Sequence, residues 1–261
     1  MNCISIVASK ILLIILLGIF ICCGQKVAEK KFLVPTQNKE RSSPRQNQIV
    51  NDSIKIEKKY LLGKVSENDS VFVKIPKEYC LYREEFLHKS VIDNYLEMFE
   101  AAKNDSVSLK ILSALRTFDV QKWLWEKKFT STKDTLNLVK EILNFSSMPG
   151  TSRHHWGTDF DVCSVELNWW NNSTEGTKTY KWLQENAHKF GFYQPFTAGR
   201  KTGYFEEKWH WSYKPLAIIY LEQYANIISY KDIFGFKGSN FAKQANVIEN
   251  YVFGINPELT K

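Results

Sequence analysis

Apolar residues run almost unbroken from Ile11 to Cys23, give way to a polar stretch as far as about Lys59, and settle into regular spacings from Tyr60 onward. Each of those spacings predicts an element. Phe86, Leu87, Val91, Tyr95, Leu96, Met98 and Phe99 recur at helical intervals and predict a helix over Glu84 to Lys103. Val107, Leu109 and Ile111 alternate with polar neighbours, a half-buried strand that ends at Arg116. Short helices follow over Asp119 to Lys128, with Trp123 inward, and over Thr135 to Leu143, stopped before Met148-Pro149-Gly150. Phe160 and Val162 flank Asp161 in strand fashion, and Thr177 to Phe190 reads as a helix capped by Gly191. Trp209, Trp211 and Tyr213 alternate with His210 and Ser212, giving a strand with one aromatic and one polar face. Leu216 to Ile228 is helical, with a helical tail beyond. Helices and strands mixed without strict βαβ alternation predict an α+β fold around a small, largely antiparallel sheet.

The first apolar run is short for a bilayer span and follows Lys10, as in a signal peptide. It ends at Cys22-Cys23-Gly24 and resembles a bacterial lipoprotein signal, which implies lipidation at Cys23 in preference to Cys22; an uncleaved membrane anchor is the alternative. Either reading places the remainder outside the cytoplasm, periplasm-facing or on the cell surface. Residues 24–59, rich in Lys, Gln, Asn and Ser, read as a polar tether, and residues 60–261 as the folded domain. With 44% hydrophobic residues, that domain can build a substantial core. The net charge of +7 suits anionic envelope polymers or lipid headgroups, while the export signal and the absence of a basic recognition helix argue against nucleic acid. Cys80 and Cys163 are left in the domain, either as a disulfide or as two free thiols.

The chemistry concentrates in two segments. Ser152-Arg-His154-His-Trp-Gly157-Thr-Asp-Phe-Asp161 reads S-x-H-x-x-G-x-x-x-D, and Glu207-Lys-Trp209-His210-Trp211 reads E-x-W-H-W. His154, Asp161 and His210 offer three ligands of the kind that hold a catalytic zinc with one position open. Glu207 is then a candidate general base, which points to a hydrolase. In an extended strand Asp159, Asp161 and Cys163 share a face. Glu207, three residues before His210, falls on the opposite face, so the hypothesis demands a bend near Glu207-Lys208, with Gly203 close by to permit a hairpin.

These two segments, with Ser113-Ala-Leu-Arg116-Thr-x-x-x-Gln121 before them, resemble the zinc D-alanyl-D-alanine carboxypeptidases. That family is related to the vancomycin-resistance dipeptidases and carboxypeptidases and, more distantly, to Hedgehog signalling domains. The resemblance spans roughly Tyr79 to Tyr213. It implies Zn2+ on His154, Asp161 and His210, Glu207 as general acid/base, and Arg116 as the cation that polarises the scissile carbonyl or binds substrate carboxylate. Gln121 and Ser152 would line the site, and the substrate would be the terminal D-alanine of peptidoglycan stem peptides. L,D-carboxypeptidase or murein endopeptidase activity on the same site, and a non-catalytic cell-wall-binding lipoprotein with zinc as a staple, are the alternatives. Two positions depart from the family: Asp159 stands where Ala is frequent, as a partner for a histidine ligand or a solvent-facing carboxylate, and Leu115 stands where Tyr is usual. His88 and His188 read as partly exposed helical residues, Glu206 as the weaker rival of Glu207, and the tryptophans as core or rim residues. Arg116 has a plainer reading as a surface ion pair with Asp119.

Overall fold

The computed structural model describes residues 55–129 and 135–261, so the apolar leader, nearly all of the tether and Cys23 lie outside the described residues. A short helix, α1 (Lys58–Leu61), precedes a two-stranded antiparallel ribbon of β1 (Phe72–Lys74) and β2 (Phe86–His88). Then come α2 (Ile92–Asn104), β3 (Ile111–Ser113), α3 (Phe118–Glu126) and α4 (Leu136–Leu143). The rest comprises β4 (Asp159–Val162), α5 (Leu167–Asn172), α6 (Thr174–Asn186), β5 (Phe192–Tyr193), β6 (His210–Tyr213) and α7 (Lys214–Ile227). The second sheet has the order β3-β4-β6-β5 with every neighbouring pair antiparallel. The α+β expectation holds.

Alternation along the two central strands decides what the sheet presents. Phe160 and Val162 of β4 and Trp211 of β6 enter one apolar cluster with Tyr95, Met98 and Phe192. The remaining residues oppose each other across the ladder, Asp159 with Ser212 and Asp161 with His210. Residues directly opposite on one face of an antiparallel pair are within side-chain reach. One face of β4–β6 is therefore core, and the other a buried polar surface. A second apolar cluster gathers Leu61, Trp125, Trp156, Tyr220 and Tyr224.

Several expected elements are corrected. The helix expected from Glu84 begins only at Ile92, because Phe86–His88 pairs with β1 and the Phe86 carbonyl accepts from Leu115 N. The Phe86-Leu87 apolar pair thus serves a strand, and His88 is a buried strand residue (9% exposed) rather than a helical one. Trp123 is 63% exposed, and Trp125 is the inward residue of α3. The buried stripe there runs through Gln121 and Trp125, four apart, with the Trp125 indole donating to the Lys237 carbonyl at 2.8 Å. Ser173 starts α6 three residues early by accepting from Gly176 N. The last turn before Gly191 is a 3-10 turn, and the glycine takes φ 84° as a left-handed cap. The tail after α7 is a series of 3-10 turns and one π turn rather than a regular helix. Cys80 and Cys163 are free thiols. Strand β4 ends at Val162, and Cys163, at φ 62°, points its Sγ to the Ser108 carbonyl instead of joining Asp159 and Asp161.

Candidate metal centre

His154 sits in a 3-10 turn, Arg153–Trp156, that closes on Gly157 at φ 66°. A Cβ at Gly157 would lie 2.9 Å from the His88 amide nitrogen and from the Phe72 ring, so only glycine reverses the chain here into β4. The His154 ring is buried, its Nδ1 2.7 Å from the Ala114 carbonyl oxygen. A carbonyl only accepts, so Nδ1 carries the proton and Nε2 presents its lone pair to the cleft. Burial, with Arg116 adding to it, holds this imidazole neutral, its pKa lowered to about 4.

Asp161 and His210 converge on the same point from the sheet. Asp161 Oδ1 lies 3.2 Å from His210 Nδ1 and 3.4 Å from His154 Nε2, and the two imidazole rings are 4.6 Å apart, nearly perpendicular. One ligand atom from each of His154, Asp161 and His210 lies within 4.8 Å of the others. Asp161 Oδ1 is buried and receives no hydrogen bond from any of the described residues. An unpaired buried carboxylate oxygen is expensive. This one faces two imidazole nitrogens, so the donor set fits a divalent ion of zinc's preferences.

The demanded bend is present. Lys208 and Trp209 form a turn in which His210 N reaches the Glu207 carbonyl at 3.4 Å, and the Glu207 carboxylate comes back to 3.4 Å from His210 Nδ1. Burial raises the Glu207 pKa, and the His210 and Arg116 charges hold that rise in check. Glu206 points elsewhere and accepts from the Tyr180 hydroxyl. For Asp161, burial alone would raise the pKa, but His154 and Arg116 carry it well below the usual carboxylate range. His210 is pushed up against its burial by the carboxylates of Asp159, Asp161 and Glu207 around its ring.

Arg116 turns into this site, not toward Asp119. Its Nη2 lies 2.7 Å from Asp161 Oδ2 and 2.6 Å from His154 Nε2, while Nε donates to Ser113 and Nη1 to Gln121 Oε1, each at 3.2 Å. Gln121 is buried and fixed in turn by the Ser147 carbonyl at 2.7 Å. Ser152 Oγ is buried in the wall of the same cleft, without a partner among the described residues. That cleft, about 620 Å³, brings Arg116, Ser152, His154, Asp161, Glu207 and His210 to one surface. A slightly larger one, about 660 Å³, opens beside Tyr79 and Phe99 and is lined by neither histidine nor cysteine.

Some residues that shape the centre carry no motif signal of their own. His155 accepts from Gly150 N at its Nε2 and meets the Arg116 carbonyl with its Nδ1 at 2.6 Å, which ties the His154 turn to the segment between β3 and α3 that carries the arginine. Buried Glu85 accepts from Ala114 N, the residue whose carbonyl orients His154. Arg153 and Asp159 pair at 2.8 Å beside His210. Asp159, two residues before Asp161, and Ser212, two after His210, are set opposite each other by the strand register.

The model of the VanY family, D-alanyl-D-alanine carboxypeptidase, matches residues 84–216, half of the chain and all of the centre described above. The chain belongs to the VanY family. Among curated proteins, the D-alanyl-D-alanine carboxypeptidase of Enterococcus faecalis (strain ATCC 700802 / V583) is 29% identical over 150 residues, covering 53% of this chain and 54% of that protein. The chain thus spans about half the length of that relative. The putative carboxypeptidase YodJ of Bacillus subtilis (strain 168) is 26% identical over 213 residues, 72% of this chain and 74% of that one. Among solved structures, VanYB in complex with D-alanine-D-alanine is 25% identical, covers 60% of this chain and 94% of that chain, and has a TM-score of 0.43.

Proposed function

We propose that this VanY-family chain is a zinc-dependent carboxypeptidase that removes the terminal D-alanine from peptidoglycan stem peptides. The observation that carries the reading is the buried Asp161 Oδ1, unpaired and facing His154 Nε2 and His210 Nδ1, beside a largely buried carboxylate at Glu207. His154, Asp161 and His210 would hold the ion, which when bound polarises the scissile carbonyl and eases deprotonation of the attacking water.

The chain's own groups account for the remaining steps. Glu207, its pKa raised by burial, takes a proton from water and returns it to the departing amine of D-alanine. Peptide hydrolysis builds negative charge on the carbonyl oxygen, and the Arg116 guanidinium, already at the ligand atoms, supplies a fixed positive charge there or at the substrate carboxylate. Gln121 sets the arginine's orientation. Ser152 lines the cleft with a hydroxyl that no described residue uses, a donor for a substrate carboxylate. Export of the chain and lipidation at Cys23 would place the site beside its polymer, in the periplasm or on the cell surface.

The test is release of D-alanine from a stem pentapeptide ending in D-Ala-D-Ala by the full-length protein in detergent. Release should be abolished by a chelator and restored by zinc. Mass spectrometry of the products separates this from L,D-carboxypeptidase or endopeptidase cleavage by the fragment that appears. Zinc-loaded protein that cuts no stem peptide overturns the proposal. Cell fractionation of wild type and Cys23→Ala tests the anchor, which predicts that the variant leaves the membrane fraction.

A further inference from the structure

His210 meets a carboxylate at each ring nitrogen, and the two carboxylates are held in opposite ways. On the Nδ1 side Asp161 keeps an unpaired oxygen. On the Nε2 side Asp159 Oδ1 lies 3.1 Å away, also accepting from Arg153 Nε at 2.8 Å, while its Oδ2 accepts from Thr158 Oγ1 and from Ser212 Oγ at 3.0 Å. Arg153 Nη2 donates to Ser212 Oγ at 2.7 Å, and the guanidinium lies over the Trp156 ring, 4.8 Å from its centroid. Arg153, Thr158, Asp159, His210 and Ser212 are all buried.

We infer that Asp159, braced by Arg153, Thr158 and Ser212, is a positioning residue of the metal centre: it takes the Nε2–H of His210 and so leaves Nδ1 as the nitrogen offered beside Asp161 and His154. The inference rests on the metal-centre reading above. Four donors fill the four lone-pair sites of the Asp159 carboxylate, so it has nothing left to offer as a fourth ligand. Stability alone does not call for the network, since a buried arginine–carboxylate pair is commonly matched by apolar side chains of similar volume. Its geometry is that of an outer carboxylate that fixes the tautomer and rotation of a metal-bound imidazole and raises its basicity. His154 gets its orientation from the Ala114 carbonyl, a weaker partner.

The experiment compares full-length wild type with Asp159→Asn and with the double variant Arg153→Met/Asp159→Ala, which removes both buried charges together and so spares the fold an unpaired one. Zinc affinity, read by chelator competition, should fall 10- to 100-fold in each variant. In zinc-loaded wild type, 15N–1H spectra of the histidine rings should show a slowly exchanging proton on His210 Nε2, lost or averaged in the double variant. Wild-type affinity in the folded double variant overturns the inference, as does a His210 proton on Nδ1 in zinc-loaded wild type; in both cases the metal-centre reading stands. A wild-type protein that takes up no zinc instead overturns that reading, and this inference with it.

Discussion

Asp161 and His210 stand opposite each other on paired strands, whereas His154, Glu207 and Arg116 reach the same point from turns and from the segment between β3 and α3. On the sheet side a single register sets both candidate ligands, and with them the Asp159–Ser212 pair behind. A slip of one residue in either strand would turn its two to the opposite face. On the turn side each group has its own device: Gly157 at φ 66° behind His154, the Glu207–His210 turn, and Ser113 and Gln121 on the Arg116 guanidinium. The sheet side should therefore fail as a unit, and the turn side piece by piece.

The largest expected effect comes from removing a candidate ligand on either side, and the two removals should differ in kind. His210→Ala and His154→Ala should both reduce D-alanine release to background. Each should weaken zinc binding beyond the 10–100-fold typical of a lost outer partner. His210→Ala also leaves Asp159, Asp161 and Glu207 gathered around the gap without the imidazole that all three contact. His154→Ala leaves only the space of a neutral ring. Thermal unfolding in chelator should show the greater loss of Tm for His210→Ala, and the reverse order would break the comparison.

Glu207→Gln should follow, with zinc content by mass spectrometry unchanged and turnover lower by roughly 10² to 10⁴, the scale of a positioned proton-transfer group. Near-normal turnover would remove Glu207 from that role. This variant sharpens the contrast because a turn-side group fails alone, with the sheet-side candidate ligands left in place.

The same contrast explains how far the sequence could be read. Two-residue alternation around Asp161 and His210 gives the strands, their polar face and the α+β class, because alternation is a local property of the chain. The bend at Glu207 follows from a conflict within that alternation. Turn-side contacts have no period. That Glu85 braces Ala114, 29 residues away, and that His155 meets the Arg116 carbonyl, 39 away, are consequences of packing alone. The misplaced helix start at Glu84 and the inward Trp123 fail for a related reason: short apolar runs fit either period, and long-range partners choose between them.

Gly63→Ala tests the piecewise side at a point outside the motifs. Gly63 has φ 70°, and a Cβ there would stand 2.2 Å from His155 Nδ1, the atom that meets the Arg116 carbonyl. Left-handed backbone strain plus overpacking should cost about 2–5 kcal/mol. Denaturant unfolding would measure it, and the piecewise picture expects D-alanine release to fall through Arg116 while zinc affinity stays near wild type. Equal loss of affinity would mean that the turns and the sheet share one cooperative frame.

The smallest expected effect lies in the acid limb of stability, at His88 behind the Gly157 turn. His88 N donates to the Gly157 carbonyl, the ring Nδ1 accepts from Ser90 N, and the ring packs edge-on against Phe72 and Tyr220. Burial, aided by Lys89, lowers its pKa from 6.5 to about 4. Above pH 6.5 neither folded nor unfolded chain is protonated there, so stability is full. As pH falls below 6.5 the unfolded chain gains a proton that the folded one refuses until about pH 4, so stability declines across that window. By pH 5 the loss attributable to His88 should be about 2 kcal/mol. In chelator, to hold metal release apart, His88→Gln should show a shallower decline in unfolding free energy between pH 7 and pH 5 than wild type, whatever its offset at pH 8. The decline that persists would belong in part to His155, held to about 3 by the same burial. Parallel curves for the two proteins would mean that His88 takes its proton in the folded state as readily as in the unfolded one, and that the turn side opens to solvent.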